Sequence, residues 1–436
     1  MSQSHGLVYG SFSRYPEREK LLLSLWAISI LPLLMLFPRS TGWISSPLVI
    51  CGIYILVKYK SLQPMDRLFA VFCLILPASF VFNMLFMGWE PDALARPSHL
   101  IAAFFIYLVI GRYGLRRDIL FWSVCAASLV AFCIAIFEAV YLGNERVFGL
   151  SRRWNAVPFG NFSLLISFFC LAGALVSSPS ERHPWHRVAF GIAGFVLGFG
   201  ASILSGTRGG WLAIPFLILL CLWFNNRMRK QVRVLVMAVL VISIAGGMAF
   251  SDRFASRFEA ATTQVNAYLA NPDDPVARDT STGIRLAMWR WGMERFLEHP
   301  FTGIGFSSYD ERREEAVAEG ELPGQFKRLA NLHNELITRL AMGGIPAALA
   351  VLIFWFIGWR FFASKLDEKN INDQYYYALC GLLTLVGTGL FSMTESLFGT
   401  SPGTKSIMLL LAIPAGAMRY AYVSRKNDTL NASVAA

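Results

Sequence analysis

The chain has 436 residues, of which 55% are hydrophobic and only 15% charged, and it carries a formal net charge of +11. Soluble globular domains hold nearer a quarter charged residues, so an ordinary soluble domain is excluded. The basic excess is not a nucleic-acid surface either, because its Lys and Arg sit in alternate connections between apolar runs.

Met1 to Lys20 is polar, and the first apolar run lacks a small-residue cleavage site, so that run is expected to be retained as a span. Runs of the size that crosses a bilayer, roughly 17–25 residues, recur along the chain. They cover 21–37, 41–57, 68–88, 99–114, 119–142, 157–177, 188–204, 209–224, 233–250, 335–359, 375–393 and 406–422, and the second and fourth are short. Twelve spans put the basic clusters on one face: Arg14, Arg18 and Lys20; Lys58, Lys60 and Arg67; Arg112, Arg116 and Arg117. Arg182 and Arg187, the run from Arg227 to Arg233, Arg360 to Lys369, and Arg419 to Lys426 fall on the same face. This positive-inside pattern makes that face cytoplasmic, with both termini inside. All seven cysteines lie within the runs and read as small buried apolar residues, so no disulfide framework follows. The six histidines lack cysteine or carboxylate partners at ligand spacing, so no metal site is expected.

Arginines on the opposite face work against the insertion bias. Arg96 lies beside Glu90 and Asp92, Arg146 shares a loop with Arg152 and Arg153, and Arg208 sits in the tight connection Ser205-Gly-Thr-Arg-Gly-Gly-Trp211. Snorkelling accounts for Arg152 and Arg153. Arg208 stands between glycines that let a ligand approach the backbone, which favours a functional role.

The one large outside segment runs from about Ser251 to His333 and has its own helical organisation. Thr280, Ser281 and Thr282 offer N-cap side chains for a helix reaching Glu298 and stopped by Pro300. Ile284, Met288 and Trp291 fall on one stripe of it, with Arg290 and Glu294 paired on another. Arg285 stands in its first turn, where the helix dipole suits an anion. After the glycine turn His299-Pro-Phe-Thr-Gly-Ile-Gly-Phe306, Ser308 with Glu311 reads as a capping box for a second helix ending at Gly320. The segment reads as a helical lid.

It ends on Asn331-Leu-His-Asn-Glu335, where the tenth span begins. Two readings of this junction stand. It either caps the span, or it holds His333 at the membrane rim as a base for an attacking hydroxyl, the role imidazole fills most readily. Arg146, Arg208 and Arg285 on the same rim suit a diphosphate, because guanidinium groups grip phosphate oxygens in a planar, bidentate way. Glu395, at the outer end of the eleventh span, either orients an arginine or faces water, while Arg339 and Glu138 are expected to pair within the bundle.

Ser205-Gly-Thr-Arg-Gly-Gly-Trp211, the run from Arg285 through Trp289 to His299-Pro-Phe-Thr-Gly-Ile-Gly-Phe306, and His333-Asn-Glu-Leu with Gly343-Gly-Ile345 resemble the O-antigen ligase and O-antigen polymerase superfamily of bacterial envelope glycosyltransferases. The motifs cover roughly 205–345, and their order, spacing and common sidedness carry the resemblance. It implies an all-α integral membrane protein of about twelve transmembrane helices with a C-type glycosyltransferase fold. Spans 1–9 would occupy 1–250, a periplasmic helical lid 251–334, and spans 10–12 with a cytoplasmic tail 335–436. The resemblance further implies an undecaprenyl-diphosphate-linked O-antigen donor, a lipid A–core acceptor and inverting transfer at the periplasmic face of the inner membrane. No cofactor, metal or nucleic-acid partner is implied. His333 would act on the acceptor hydroxyl, and Arg208 and Arg285 would bind the diphosphate. Arg146 and Arg96 are added from sidedness, with Asn334 and Glu395 in support. A polymerase or a protein O-oligosaccharyltransferase of the same superfamily would share the donor site, and a transporter is the reading from another class.

Overall fold

The computed structural model describes residues 17–59, 62–150, 155–176, 184–223, 262–329, 331–366, 373–399 and 401–435. Among them the fold is all helical, without strands. In chain order the helices are α1 (Glu17–Leu36), α2 (Thr41–Tyr59), α3 (Pro64–Met87), α4 (Ser98–Tyr113), α5 (Arg117–Ile136), α6 (Ala156–Leu175) and α7 (Pro184–Leu204). After a single turn over Arg208–Trp211 come α8 (Ile214–Trp223), α9 (Gly283–Glu298), α10 (Tyr309–Ala318), α11 (Glu335–Ala363), α12 (Asp373–Phe391) and α13 (Ser401–Ala435).

Among the described residues, eight helical stretches are long and apolar enough to cross a membrane, in α1, α2, α3, α5, α6, α7, α11 and α13, which marks a multi-pass membrane protein. The expected fourth span is the shorter α4, and the eighth is divided between the Arg208–Trp211 turn and α8. The eleventh corresponds to α12, and the ninth, 233–250, lies outside the described residues. All seven cysteines are unpaired.

A helix that is apolar all round belongs at a centre, and α6 occupies it. Nearly every α6 side chain is buried, and the helix packs on α5, α7 and α12. Gly191, Gly194 and Gly198 of α7 bring that helix against Ala174, Cys170 and Ser167 of α6, the small-residue contact by which apolar helices approach closely.

The cation-bearing helix ends gather at one end of the bundle. Arg112 lies over the Tyr59 ring at 3.8 Å, Arg187 and Arg116 both pair with Asp118, and Arg117 is 4.0 Å from Asp373. Deepest in this group is Asp66, fully buried, which Arg419 grips in a fork at 2.5 and 2.9 Å. The Tyr107 hydroxyl also donates to Asp66, at 2.6 Å. The same carboxylate accepts from the Gln63 amide at 2.9 Å and so starts α3.

The opposite end carries the lid. Its core joins Met288 and Trp291 of α9, Tyr309 and Ala316 of α10, and Phe326 to Ala341 and Met342 of α11, so it continues into the tenth span. The expected stripe of α9 is therefore a packing face, and Arg290 donates to Glu294 at 2.9 Å as its spacing requires. Two expected caps differ. Of the three candidate N-cap side chains, Thr280 holds the helix start, accepting from the Gly283 amide at 2.9 Å, because its oxygen is the one that reaches the open amide. Ser308 takes a helical backbone and makes no side-chain cap, so the capping box is not formed.

The tenth span is not one continuous rod. At Gly344 the backbone turns to φ 64°, ψ −162°, a region essentially restricted to glycine. The lid loop enters this break. Ile304 donates to the Ala341 carbonyl, Gly305 to Met342 and Ile345 back to Pro300, each at 2.9 Å. Asn83 of α3 clamps the same loop, donating to the Thr302 carbonyl at 2.7 Å and accepting from the Phe306 amide at 3.3 Å. Irregular backbone at such depth is tolerated where its polar groups are met by protein.

Candidate active site

Asn334 starts α11, its side-chain oxygen accepting from the Ile337 amide at 3.1 Å and its nitrogen donating to the Met393 carbonyl at 3.2 Å. The residue before it, His333, has φ 50°, in the left-handed region. Its amide donates to the Asn331 side chain at 3.0 Å. That turn presents the imidazole to Glu395, with Nδ1 3.1 Å from Oε2. A carboxylate accepts, so Nδ1 carries the hydrogen and Nε2 is left as the ring's acceptor. The His333 side chain keeps 20% of its surface exposed against 5% for Glu395, so an accessible imidazole rests on a buried carboxylate.

Glu395 stands in the connection after α12, which Glu335 holds in place. The Glu335 amide donates to the Ser392 carbonyl at 2.8 Å. Its Oε2 accepts from the Ser396 hydroxyl at 2.8 Å and from the Phe398 amide at 3.3 Å. Its Oε1 accepts from Arg339 at 2.6 Å, and the Arg339 guanidinium also lies over the Phe80 ring at 4.8 Å. The two ionisable residues in the first turns of this helix are thus paired with each other.

The Ser205–Trp211 connection meets the site from the side of α6. Thr207 donates to the Ala156 carbonyl at 2.8 Å, and Gly209 lies against Thr394, next to Glu395. That contact draws the Arg208 backbone beside the histidine's orienting loop; the Arg208 side chain lies outside the described residues. Arg146 crosses the same turn, Nε donating to the Ser205 carbonyl at 3.1 Å. Its loop is anchored by Glu138, in the π-turn Phe137–Tyr141 that continues α5, which accepts from the Phe148 amide at 2.7 Å. Arg285 is half-buried and shares a face of α9 with Trp289 and Gly292, by the i, i+4, i+7 rule. Trp289 donates to the Leu332 carbonyl at 2.9 Å, and Gly292 abuts the Leu332 side chain, so this face of α9 leans on the residue preceding His333.

His333, Asn334, Glu395, Arg146 and the backbone of Arg208 are therefore joined by direct or adjacent contacts, and Arg285 is one helical turn from Trp289, which bonds the residue before His333. Arg96 is not brought to this cluster. It is exposed, on the rim of a separate polar cavity bounded by Asn331 and Ser396. Sequence reasoning missed Glu335 as the organiser of the Glu395 loop. It also missed Asn161, 3% exposed, whose side-chain amide has no hydrogen-bond partner among the described residues and lies against Gly210. An acidic residue in a helix's first turn and a lone Asn in an apolar span carry no pattern that marks them.

Residues 193–352, from α7 into α11, match the family model described as O-antigen ligase. Over that stretch the chain is similar to an O-antigen ligase family domain. The O-antigen ligase segment takes in the Ser205–Trp211 turn, the lid, His333 and Glu335, while Arg96, Arg146 and Glu395 lie outside it. An O-antigen ligase of Escherichia coli is 27% identical over 268 residues, 59% of this chain and 59% of its own length. An uncharacterized protein of Haemophilus influenzae is 22% identical over 391 residues, covering 88% of this chain and 94% of the relative. These likenesses support a superfamily of the O-antigen ligase and polymerase type, a family that implies glycosyltransferase-type chemistry with a polysaccharide donor and a lipid acceptor.

Proposed function

We propose that the protein is an O-antigen ligase that moves a polysaccharide from undecaprenyl diphosphate to a hydroxyl of lipid A–core. The observation that carries this reading is the His333–Glu395 pair, abutted by the Arg146-crossed Ser205–Gly210 turn. In this reading Nε2 of His333 takes the proton of the acceptor hydroxyl as its oxygen attacks the anomeric carbon. The bond from that carbon to the diphosphate oxygen breaks with inversion, and the diphosphate leaves with the electron pair. Arg208, Arg285 and Arg146 stabilise the leaving charge, which fixed guanidinium groups do without reorganising. Glu395 keeps the imidazole in the reactive tautomer. Twelve spans, cytoplasmic termini and a periplasmic site belong to the same proposal, supported by the gathering of cations at the end remote from His333.

Cells lacking the gene test it. Long chains left on the carrier lipid together with bare lipid A–core, restored by the intact gene, are the expected result. Lipid A–core carrying a single repeat unit would make the protein a polymerase, and unchanged lipopolysaccharide would overturn the reading.

A further inference from the structure

The polar cavity behind the Asn331–Ser396 wall has a volume of about 280 Å³, near the lower end of small-molecule sites. It lies between the Glu90–Arg96 loop, the lid at Phe306–Asp310, the first turns of α11 and Phe398. Its charges are balanced. Arg339 is matched by Glu335, and Asp310 pairs with Arg313 at 2.7 Å. The Arg96 side chain makes no hydrogen bond or ion pair with a described residue, but Glu90 and Asp92 share its loop and line the same cavity. A diphosphate needs a surplus of guanidinium groups, and this cavity offers none.

What it offers instead is alternating donors and acceptors beside aromatic surface. Carboxylates, a guanidinium, the Asn331 amide and the Thr338 hydroxyl meet the rings of Phe306 and Phe398. A pyranose presents the complement, hydroxyls around its edge and C–H groups on its faces. Such a site gains selectivity because each hydrogen-bonding group is left unmet by a ligand lacking the matching hydroxyl. The wall is shared with the reaction centre, since Asn331 holds the His333 amide and Ser396 follows Glu395.

We infer that this cavity is a saccharide subsite, separate from the diphosphate cluster, which holds one sugar ring next to the reacting centre, with Arg96 and Asp92 contacting its hydroxyls. The inference rests on the glycosyl-transfer reading above for its biological meaning, but its test does not. Arg96 is thereby moved from the diphosphate group to the sugar.

The test is saturation-transfer NMR on the full-length protein in lipid nanodiscs with two probes. One is the lipid-free oligosaccharide cleaved from the carrier, and the other is core oligosaccharide freed from lipid A. One probe is expected to bind wild type and His333→Asn alike, and which one binds names the source of the sugar. Arg96→Gln combined with Asp92→Asn is expected to weaken it at least about five-fold, the effect of a lost hydrogen bond or two. Both positions are exposed, so the fold should be unaffected. Absence of binding by both probes, unchanged binding in the double variant, or displacement of the sugar by inorganic diphosphate would each overturn the assignment. Saccharide binding in a protein whose deletion leaves lipopolysaccharide unchanged would retain the subsite and reject the ligase.

Discussion

At the scale of single residues, His333 does two things that substitutions can separate. Its imidazole meets Glu395, and its backbone sits at φ 50°. Alanine loses both, because only Gly, Asn, Asp and His visit that region readily. His333→Asn should abolish transfer yet melt close to wild type, whereas His333→Ala should abolish transfer and lose about 1–2 kcal/mol as well. A thermal melt in detergent beside a turnover assay checks both. Transfer retained by the Asn variant would remove His333 as the base. His333 was legible in the sequence because a histidine where a polar segment becomes a span is a rare placement. Glu395 was legible only as a polar residue at a helix end. Its partner is 62 positions away, and no periodicity links them.

Among elements, the broken α11 departs furthest from the sequence reading. Residues 335–359 read as a continuous span because glycine is common in apolar helices. The break becomes visible only with the loop that fills it, and that loop belongs to the lid. A Cβ at Gly344 would stand 2.5 Å from the Phe301 backbone, in a conformation that costs an alanine about 1–3 kcal/mol on its own. Gly344→Ala is therefore expected to lower the melting temperature and the yield of folded protein sharply. An unaffected melt would show that the loop and the break are not joined in solution. The lid's helices, by contrast, were legible from stripe and stop signals, while their caps depended on which oxygen reached an open amide.

Across the whole molecule, composition and the alternation of cations already separate two ends, and an all-round apolar α6 already reads as a central helix. The polar lock that ties α3, α4 and α13 together was not legible, since Asp66, Tyr107 and Arg419 are far apart in the chain. It lies roughly 25 Å along α3 from Asn83, by the helical rise. Asp66→Asn leaves the Arg419 guanidinium without its counter-charge, which should destabilise by about 3–5 kcal/mol. Turnover per folded molecule should stay near wild type, because sites so far apart act independently. A melt and an active-fraction measurement distinguish this from a loss at the reaction centre.

The stitching of the lid loop into α11 has a consequence for chain continuity. The stretch 299–306 is tied to 341–345 by three backbone hydrogen bonds, and α9 and Phe326 share one core. Between these attachments Glu319, Gly320, Glu321 and Gly324 are exposed. A cut there would leave both sets of contacts in place, so two fragments split at Gly320 are expected to co-purify from the membrane.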